Sequence, residues 1–295
     1  MSTTSLYEMY QPLLFSLAYR MLGSVMDAED IVQETFIAFD RLPGQEDIEH
    51  KKAYLSKMVT NRCLDLIRSS ARQREVYVGP WLPEPLLDVK GDPSDPSRLY
   101  LQEETISTAY LLLLQQLNAV ERAVFLLHEV FSYSYDEIAG MVGKSTANCR
   151  QICRRAKNSI HYDPAEQPSY SVVEAKVKEF VQSMMNGNVD RILELVSEDV
   201  AFYSDGGGKV MAARVPVHGA ANVIQLMQNL LKMYAGKYTG SFITVNRMPG
   251  LLLSVGEQHY VYSFAVKDDR IQAIYNVANP DKLRHLQRSI GRPRP

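Results

Sequence analysis

The sequence predicts a multidomain fold in which two all-α helical domains precede a third domain of the α+β class. The chain has 295 residues, enough for two or three compact domains. Five of its 14 prolines lie between Pro80 and Pro96, where missing amide donors and fixed φ angles predict a linker. A second break follows at Tyr162 to Ser169. After it, helical periodicity gives way to strand-like runs.

These breaks predict a first domain over residues 1–75, a linker over 76–102, a second domain over 103–162 and a third over 170–290. Apolar residues recur at helical spacing through the first domain and predict three amphipathic helices. They are Leu13, Leu14, Leu17, Ala18, Met21 and Leu22, then Ile31, Val32, Thr35, Phe36 and Phe39, then Leu55, Met58, Val59, Cys63, Leu66 and Ile67.

The second domain carries the pattern of a helix-turn-helix. Ser134 precedes Glu137 by three residues, which predicts a capping box, and Gly143 suits the left-handed turn before a helix starting at Ser145. That helix places small and apolar residues inward and five Lys or Arg, with no acid, between Lys144 and Ile160. A second helix of this kind enters the major groove of DNA. The residues expected to face DNA are Thr146, Asn148, Arg150, Arg154 and Lys157.

Composition describes an ordinary globular protein, with 46% apolar residues and a formal net charge of −2. A neutral total still permits DNA binding, because DNA responds to the local field. Three cysteines are too few for a disulfide framework, and Cys149 and Cys153 lack further ligands at metal spacing. Apolar runs such as Leu111 to Leu114 are far too short to span a membrane. We therefore expect a cytoplasmic chain without membrane segments, metal or cofactor.

Two strings in the first domain carry a family resemblance. DAEDIVQETF (Asp27 to Phe36) and YLSKMVTNRCLDLIRSSARQRE (Tyr54 to Glu75) resemble the polymerase-binding and promoter-melting segments of extracytoplasmic-function sigma factors. The resemblance covers residues 6 to 162 and implies core RNA polymerase and promoter DNA as partners. It implies polymerase binding by Asp27, Asp30, Gln33 and Glu34, and minus-10 binding by His50, Lys52, Asn61, Arg62 and Arg68. The helix-turn-helix would then read the minus-35 element.

The third domain resembles a SnoaL-like domain, a cone formed by a curved sheet and helices. Three strings resemble the sigma-factor subgroup with this extension, in which it is implied to control sigma activity within the same chain. The residues implied in this contact are WLPEP (Trp81, Leu82, Pro83, Glu84, Pro85), DGGGK (Asp205, Gly206, Gly207, Gly208, Lys209) and NPDKL (Asn279, Pro280, Asp281, Lys282, Leu283).

Two other functions compete with this interpretation. A helix-turn-helix repressor that senses a small molecule explains the second domain, but it leaves the acidic DAEDIVQETF face without a role. A SnoaL-like enzyme would need acid or base groups such as Asp205 and His218 at a pocket mouth, and the sequence does not show that they converge. We expect no enzymatic activity. A small-molecule ligand in the third domain stays open.

Overall fold

The computed structural model describes residues 3–87, 106–160 and 167–286. These form two compact units. The helical unit contains residues 3–75 and 110–160, and the mixed unit contains residues 76–87, 106–109 and 167–286. Both predicted helical domains therefore lie in one unit, whereas the described part of the predicted linker belongs to the mixed unit. The rest of that linker and the first residues of the predicted second domain lie outside the described residues.

The amino-terminal half of the helical unit follows the predicted periodicity. Its helices are α1 (Thr3–Leu22), α2 (Val25–Asp40) and α3 (Lys51–Glu75), with a short 3-10 turn at Gln45–Asp47. Ser24 caps α2 by accepting a hydrogen bond from the Asp27 amide at 3.2 Å. Leu17, Phe39 and Leu55 are fully buried between the three helices. The predicted apolar stripes therefore form the core.

The carboxy-terminal half of the helical unit is the predicted helix-turn-helix with its supporting helices. They are α4 (Thr108–Gln116), α5 (Ala119–Phe125), a π-helical turn (Leu126–Val130), α6 (Tyr135–Val142) and α7 (Thr146–Ile160). The buried Arg122 guanidinium donates hydrogen bonds to the carbonyls of Met21 and Leu117. The Ser56 and Tyr133 hydroxyls lie 2.8 Å apart, so α3 is hydrogen-bonded to the chain just before α6.

The mixed unit is a six-stranded sheet with helices on one face. Its elements are α8 (Tyr170–Met185), α9 (Val189–Leu195), β1 (Val196–Asp205), β2 (Val217–His218), α10 (Ala220–Met233), β3 (Tyr238–Val245), β4 (Met248–Val255), β5 (Gln258–Lys267) and β6 (Arg270–Val277). The strand order is β2-β1-β6-β5-β4-β3, and only the β1–β6 pair is parallel. Val177, Phe180 and Phe264 are among the buried residues that join helices to sheet.

Three two-residue hairpins join β3 to β4, β4 to β5 and β5 to β6, and two of them have two left-handed non-glycine residues at the turn. Asp268 and Asp269 both have positive φ between β5 and β6, as a type I′ turn requires, which confirms the hairpin predicted from VYSFAV, KDDR and IQAIYNV. Asn246 and Arg247 form the equivalent turn between β3 and β4. Among the residues described, no helix combines the length and apolar character needed to cross a bilayer.

Candidate functional sites

The outer face of α2 carries the predicted polymerase-binding residues. Asp27, Asp30, Gln33 and Glu34 are all exposed, whereas the opposite face of the helix is buried. Glu34 lies 3.9 Å from the Arg62 guanidinium on α3. Such an exposed pair contributes little to stability, so it leaves Glu34 available to a partner. The four side chains form one acidic and polar surface.

The predicted minus-10 residues are distributed along and around α3 and do not converge on one point. His50, Lys52, Asn61 and Arg68 are exposed, and Arg62 is partly buried. A rise of about 1.5 Å per residue separates Lys52 from Arg68 by roughly 24 Å along the helix, and at about 3.6 residues per turn Lys52 and Asn61 lie on opposite sides of it. The set is therefore too widely spread for a single pocket.

Several side chains of α3 contact other residues of the helical unit. The Lys52 ammonium lies 5.2 Å from the centre of the Tyr133 ring, within cation–π range. Tyr54 packs against Phe39 with ring centres 6.1 Å apart, so it has a structural contact within the helical unit. At the other end of the helix, Arg68 pairs with Asp65 at 3.3 Å.

The helix-turn-helix is built as its capping pattern predicts. The Ser134 hydroxyl accepts from the Glu137 amide at 3.3 Å, and the Glu137 carboxylate accepts from the Ser134 amide at 2.8 Å. The Ser134 hydroxyl also donates to the Glu137 carboxylate at 2.7 Å, and this bond, followed by the one from the Ser134 amide, lowers the pKa of Glu137. Gly143 ends α6 with a φ of 66°, and the Asn148 amide donates to Ser145 Oγ at the start of α7. Two caps and one glycine therefore define the turn.

Helix α7 has one buried face and one exposed, positively charged face. Cys149 and Cys153 are buried on its inner face, as their spacing with Ile152 and Ala156 predicts. The predicted DNA-facing residues Asn148, Arg150, Arg154 and Lys157 are exposed. Three of the predicted side chains have partners within the helical unit: Thr146 donates to Asp136 at 2.7 Å, Arg150 lies over the Tyr135 ring, and Lys157 pairs with Glu129 at 2.8 Å.

In the mixed unit, the structure brings the WLPEP, DGGGK and NPDKL strings together around one carboxylate. Asp205 is fully buried, and its Oδ2 accepts from the Leu82 amide at 2.8 Å and from the Lys282 ammonium at 2.7 Å. Its Oδ1 accepts from the Tyr77 hydroxyl at 2.6 Å. The Asn279 amide nitrogen of the side chain donates to the same hydroxyl at 2.9 Å. We call these five residues the Asp205 cluster.

Lys282 holds the linker through a second set of contacts. Its ammonium donates to the carbonyl of Leu82 and lies 4.1 Å from the centre of the Trp81 ring. Burial, and then the hydrogen bond to Asp205, raise the pKa of Tyr77, so this hydroxyl stays a neutral donor. The lysine therefore binds the segment through charge, hydrogen bonding and an aromatic face.

The surroundings of several other motif residues restrict which side chain fits at each position. A Cβ at Gly207 would lie 2.2 Å from the Asn279 side chain, and one at Gly206 would meet Val210 and Ala212 at 2.7 Å. Pro83, Glu84, Pro85 and Leu283 are buried, and Gly208 and Pro280 lie in the turns that lead into the cluster. By contrast, Lys209 and Asp281 form an ion pair on the surface.

Sequence reasoning missed a second contact of the linker, around Asn246. Asn246 Oδ1 accepts from the Leu86 amide at 2.8 Å, and its Nδ2 donates to Thr108 Oγ1 at 3.3 Å. Ser263 Oγ also donates to Thr108 Oγ1, at 2.8 Å. One asparagine therefore binds residues from both ends of the segment that joins α3 to α4. The available signal was Asn246 itself, a turn-forming residue between two strand-like runs.

His285 was missed as well. Its Nε2 lies 2.8 Å from the Pro85 carbonyl, and the residue is partly buried. Burial lowers the pKa of His285, opposed by the hydrogen bond to Pro85. A neutral imidazole therefore supports the last proline of WLPEP.

The mixed unit encloses a cavity of about 540 Å³ between the sheet and helices α8 and α10. Phe180, Phe202, Met227 and Tyr260 are among its lining residues. Neither Asp205 nor His218 lines it: Asp205 is held in its cluster, and His218 is exposed on β2. The two groups considered for acid/base catalysis do not converge at this cavity. Within the described ranges, no three His, Cys, Asp or Glu residues are grouped as metal ligands.

A helical domain with an acidic outer face, followed by a helix-turn-helix with a cationic one, defines a DNA-binding transcription factor. The family models named "Sigma-70 region 2" and "Sigma-70, region 4" match residues 6–73 and 107–160. The ECF RNA polymerase sigma factor SigJ of Mycobacterium tuberculosis is 32% identical over 293 residues, covering 94% of this chain and 92% of SigJ. The chain belongs to the ECF RNA polymerase sigma factors.

Further similarities extend over different parts of the chain. The probable ECF RNA polymerase sigma factor SigI of the same species is 32% identical over 201 residues, covering 66% of this chain and 67% of SigI. The crystal structure of M. tuberculosis SigJ superposes with a TM-score of 0.80 at 29% identity, covering 95% of this chain and 98% of that one. The shared architecture therefore includes the carboxy-terminal α+β domain.

Proposed function

We propose that this sigma factor directs promoter-specific initiation and that its carboxy-terminal domain regulates that activity through the linker. In this proposal the exposed face of α2 binds core RNA polymerase, exposed polar and basic residues of α3 and the loop before it bind the minus-10 element, and α7 reads the minus-35 element. Exposure and charge of these side chains support the assignment. Such a factor works in the cytoplasm, where core polymerase and promoter DNA are found.

The observation that carries the regulatory part is the buried ion pair between Lys282 and Asp205, built around the backbone of Leu82. The carboxylate and the ammonium are both buried, and each also bonds a backbone group of Leu82. A buried charge loses its compensation when the partner is removed, at a cost of about 3–5 kcal/mol. The linker segment is therefore bound as part of the domain core.

Chain connectivity turns this binding into a means of control. The segment from Val76 to Leu87 directly follows α3, and Thr108 is the first residue of α4. Both ends are hydrogen-bonded to the mixed unit, by the Asp205 cluster and by Asn246. A bound linker restricts how far the minus-10 and minus-35 domains separate. Release of the linker would then favour the separated arrangement that a promoter requires.

The test is in vitro transcription with core polymerase and a promoter library, using the full chain. We expect Lys282→Met to release the linker and to raise both promoter-specific output and polymerase affinity. Lys209→Met is the matched control, because its ion pair with Asp281 is exposed and contributes little. Unchanged output and polymerase affinity in Lys282→Met, in protein that remains folded, would contradict regulation through this contact.

The same assay separates the two alternative functions. A ligand-sensing repressor would bind duplex DNA and yet neither bind core polymerase nor support a transcript. An enzyme would need catalytic groups around its cavity, and Asp205 is instead committed to Leu82, Tyr77 and Lys282. We therefore propose a binding role for the mixed unit.

A further inference from the structure

The cavity in the mixed unit is lined mainly by apolar and aromatic side chains. Five of the 12 methionines of the chain contribute to its wall, together with four phenylalanines and four tyrosines. Among the residues that the structure describes, those that line the cavity include no Asp, Glu, Lys, Arg or His. Methionines adapt to ligands of varied shape, and the volume falls within the roughly 300–1,000 Å³ of small-molecule sites. A charged ligand would find no counter-charge here.

One polar position in this wall lacks a partner. Asn276 on β6 is 5% exposed, and its Nδ2 donates to Ser204 Oγ at 3.0 Å, whereas its Oδ1 is buried without a hydrogen bond. Because the Ser204 hydroxyl both donates and accepts, turning the amide over would only exchange the unpaired group. An unpaired buried amide group costs about 1–3 kcal/mol. Asn276 is one of the residues that line the cavity, so a ligand group that reaches this amide would remove that cost.

A second polar position comes from neighbouring tyrosines. Tyr234, after α10, and Tyr260, on β5, both line the cavity. Burial, and then the neighbouring Tyr234 hydroxyl, raise the pKa of Tyr260 to about 12. Burial likewise raises the pKa of Tyr262, which also lines the cavity. The Tyr260 and Tyr262 hydroxyls are therefore neutral at physiological pH and add hydrogen-bonding groups without adding charge.

We propose that this cavity binds a neutral, largely apolar small molecule whose hydrogen-bonding group pairs with the side-chain amide of Asn276. The assignment follows from a largely apolar wall whose described residues carry no charge, and from the unpaired side-chain oxygen of Asn276. It goes beyond the sigma function, and the binding step does not depend on regulation through the linker.

The position of Asn276 connects the cavity to the Asp205 cluster. Ser204 and Asn276 are register partners in the parallel β1–β6 pair, and the next pair is Asp205 with Val277. The chain then continues to Asn279, whose amide donates to the Asp205 carbonyl at 2.8 Å. A ligand bonded to Asn276 therefore contacts a residue whose register partner, Ser204, directly precedes Asp205, the residue that accepts the hydrogen bond of the Leu82 amide. This consequence rests on the proposed regulation.

Binding is tested with the full chain and the neutral dye Nile red, displaced by naphthalene, 2-naphthol or 2-naphthoate. We expect saturable dye binding, with 2-naphthol competing roughly two- to tenfold more tightly than naphthalene, the range of one net hydrogen bond. Charged 2-naphthoate should compete least, since the wall offers no cation. In Asn276→Leu the advantage of 2-naphthol should vanish, while the affinity for naphthalene, which makes no hydrogen bond, serves as the control for an intact cavity.

A variant that fills the cavity locates the binding. Met227→Trp adds volume inside the wall and should abolish dye binding, whereas Gln225→Trp adds the same side chain at an exposed position of α10 and should not. Absence of saturable dye binding would overturn the proposal. So would dye binding retained by Met227→Trp, or equal affinities of the wild-type protein for naphthalene and 2-naphthol.

Hydrogen exchange of the segment from Val76 to Leu87 separates binding from regulation. With saturating 2-naphthol, the Leu82 amide should exchange at a changed rate, because its acceptor is Asp205. An unchanged rate alongside Asn276-dependent binding would count against the coupling and leave the ligand site standing. Loss of binding itself would overturn the site, whatever the transcription assay shows.

Discussion

At the scale of single residues, a few buried polar side chains hold the linker. Asp205, Lys282 and Asn246 are each less than a tenth exposed, and each bonds main-chain groups of the WLPEP region. Main-chain bonds constrain the path of a segment whatever its side chains do. The three residues therefore fix where the chain runs between α3 and α4.

The contribution of Asn246 can be isolated with a matched pair of substitutions. Asn246→Gly keeps the left-handed backbone and the main-chain bond from the Asn246 amide to the Leu86 carbonyl, but it removes the side-chain bonds to the Leu86 amide and to Thr108. We expect a loss of about 1–3 kcal/mol in the unfolding free energy, because buried partners lose hydrogen bonds. Asp268→Gly makes the same change at the first position of the β5–β6 turn, where the side chain is exposed, and should be neutral or slightly stabilising. Denaturant unfolding compares them, and equal effects would remove the special role of Asn246.

His285 makes linker binding depend on pH. Its pKa is lowered in the folded state from 6.5, so at acidic pH the released state takes up a proton more readily. Binding should be constant above about pH 6.5 and weaken as the pH falls below it. Fluorescence of Trp81, the only tryptophan of the chain, measures this. His285→Gln should flatten the response, and an unchanged pH profile in that variant would show that another group is responsible.

At the scale of elements, the helix-turn-helix depends on the left-handed residue between α6 and α7. Gly143 has a φ of 66° with open space around it, so only backbone strain opposes a side chain there. Gly140, in the same helix, is exposed and has ordinary helical geometry. The two glycines therefore respond in opposite directions to the same substitution.

We expect Gly143→Ala to destabilise the helical unit by about 1–2 kcal/mol, the cost of the left-handed conformation for an L-residue. Gly140→Ala should stabilise it by roughly 0.5–1 kcal/mol, since alanine favours a helix interior. Thermal unfolding of the full chain, followed by circular dichroism, measures both. A Gly143→Ala protein as stable as wild type would mean that α6 ends by other means.

Much of this element level could be predicted from the sequence. Capping patterns, apolar periodicity and the type I′ turn at Asp268 all act between residues close in the chain, so the sequence displays them directly. The Asn246 contact could not be found in this way, because Asn246 meets Leu86 and Thr108 across 160 and 138 residues. Likewise, no local pattern reveals that Asn276 lacks a partner.

At the scale of the whole molecule, DNA binding depends more on the local charge of one surface than on the net charge of the chain. The chain carries a formal charge of −2, yet α7 presents a cationic face to solvent. If about four of its cations neutralise phosphates, duplex affinity should fall with salt at a logarithmic slope near −3.6. Arg154→Ala should reduce the magnitude of that slope by roughly 0.9. Filter binding at several salt concentrations measures it, and a flat response would contradict DNA binding through α7.

The sequence by itself determined the class of protein, through strings that resemble a known family. It also determined the helical and mixed domains and the charged faces, because these follow from periodicity and motifs within short stretches. Only the tertiary structure decided that the linker belongs to the mixed unit, that Asp205 joins the three motifs, and that Asn276 faces a neutral cavity. Those features depend on which distant residues meet and on which buried groups find a partner. Such pairing is a property of the packed chain.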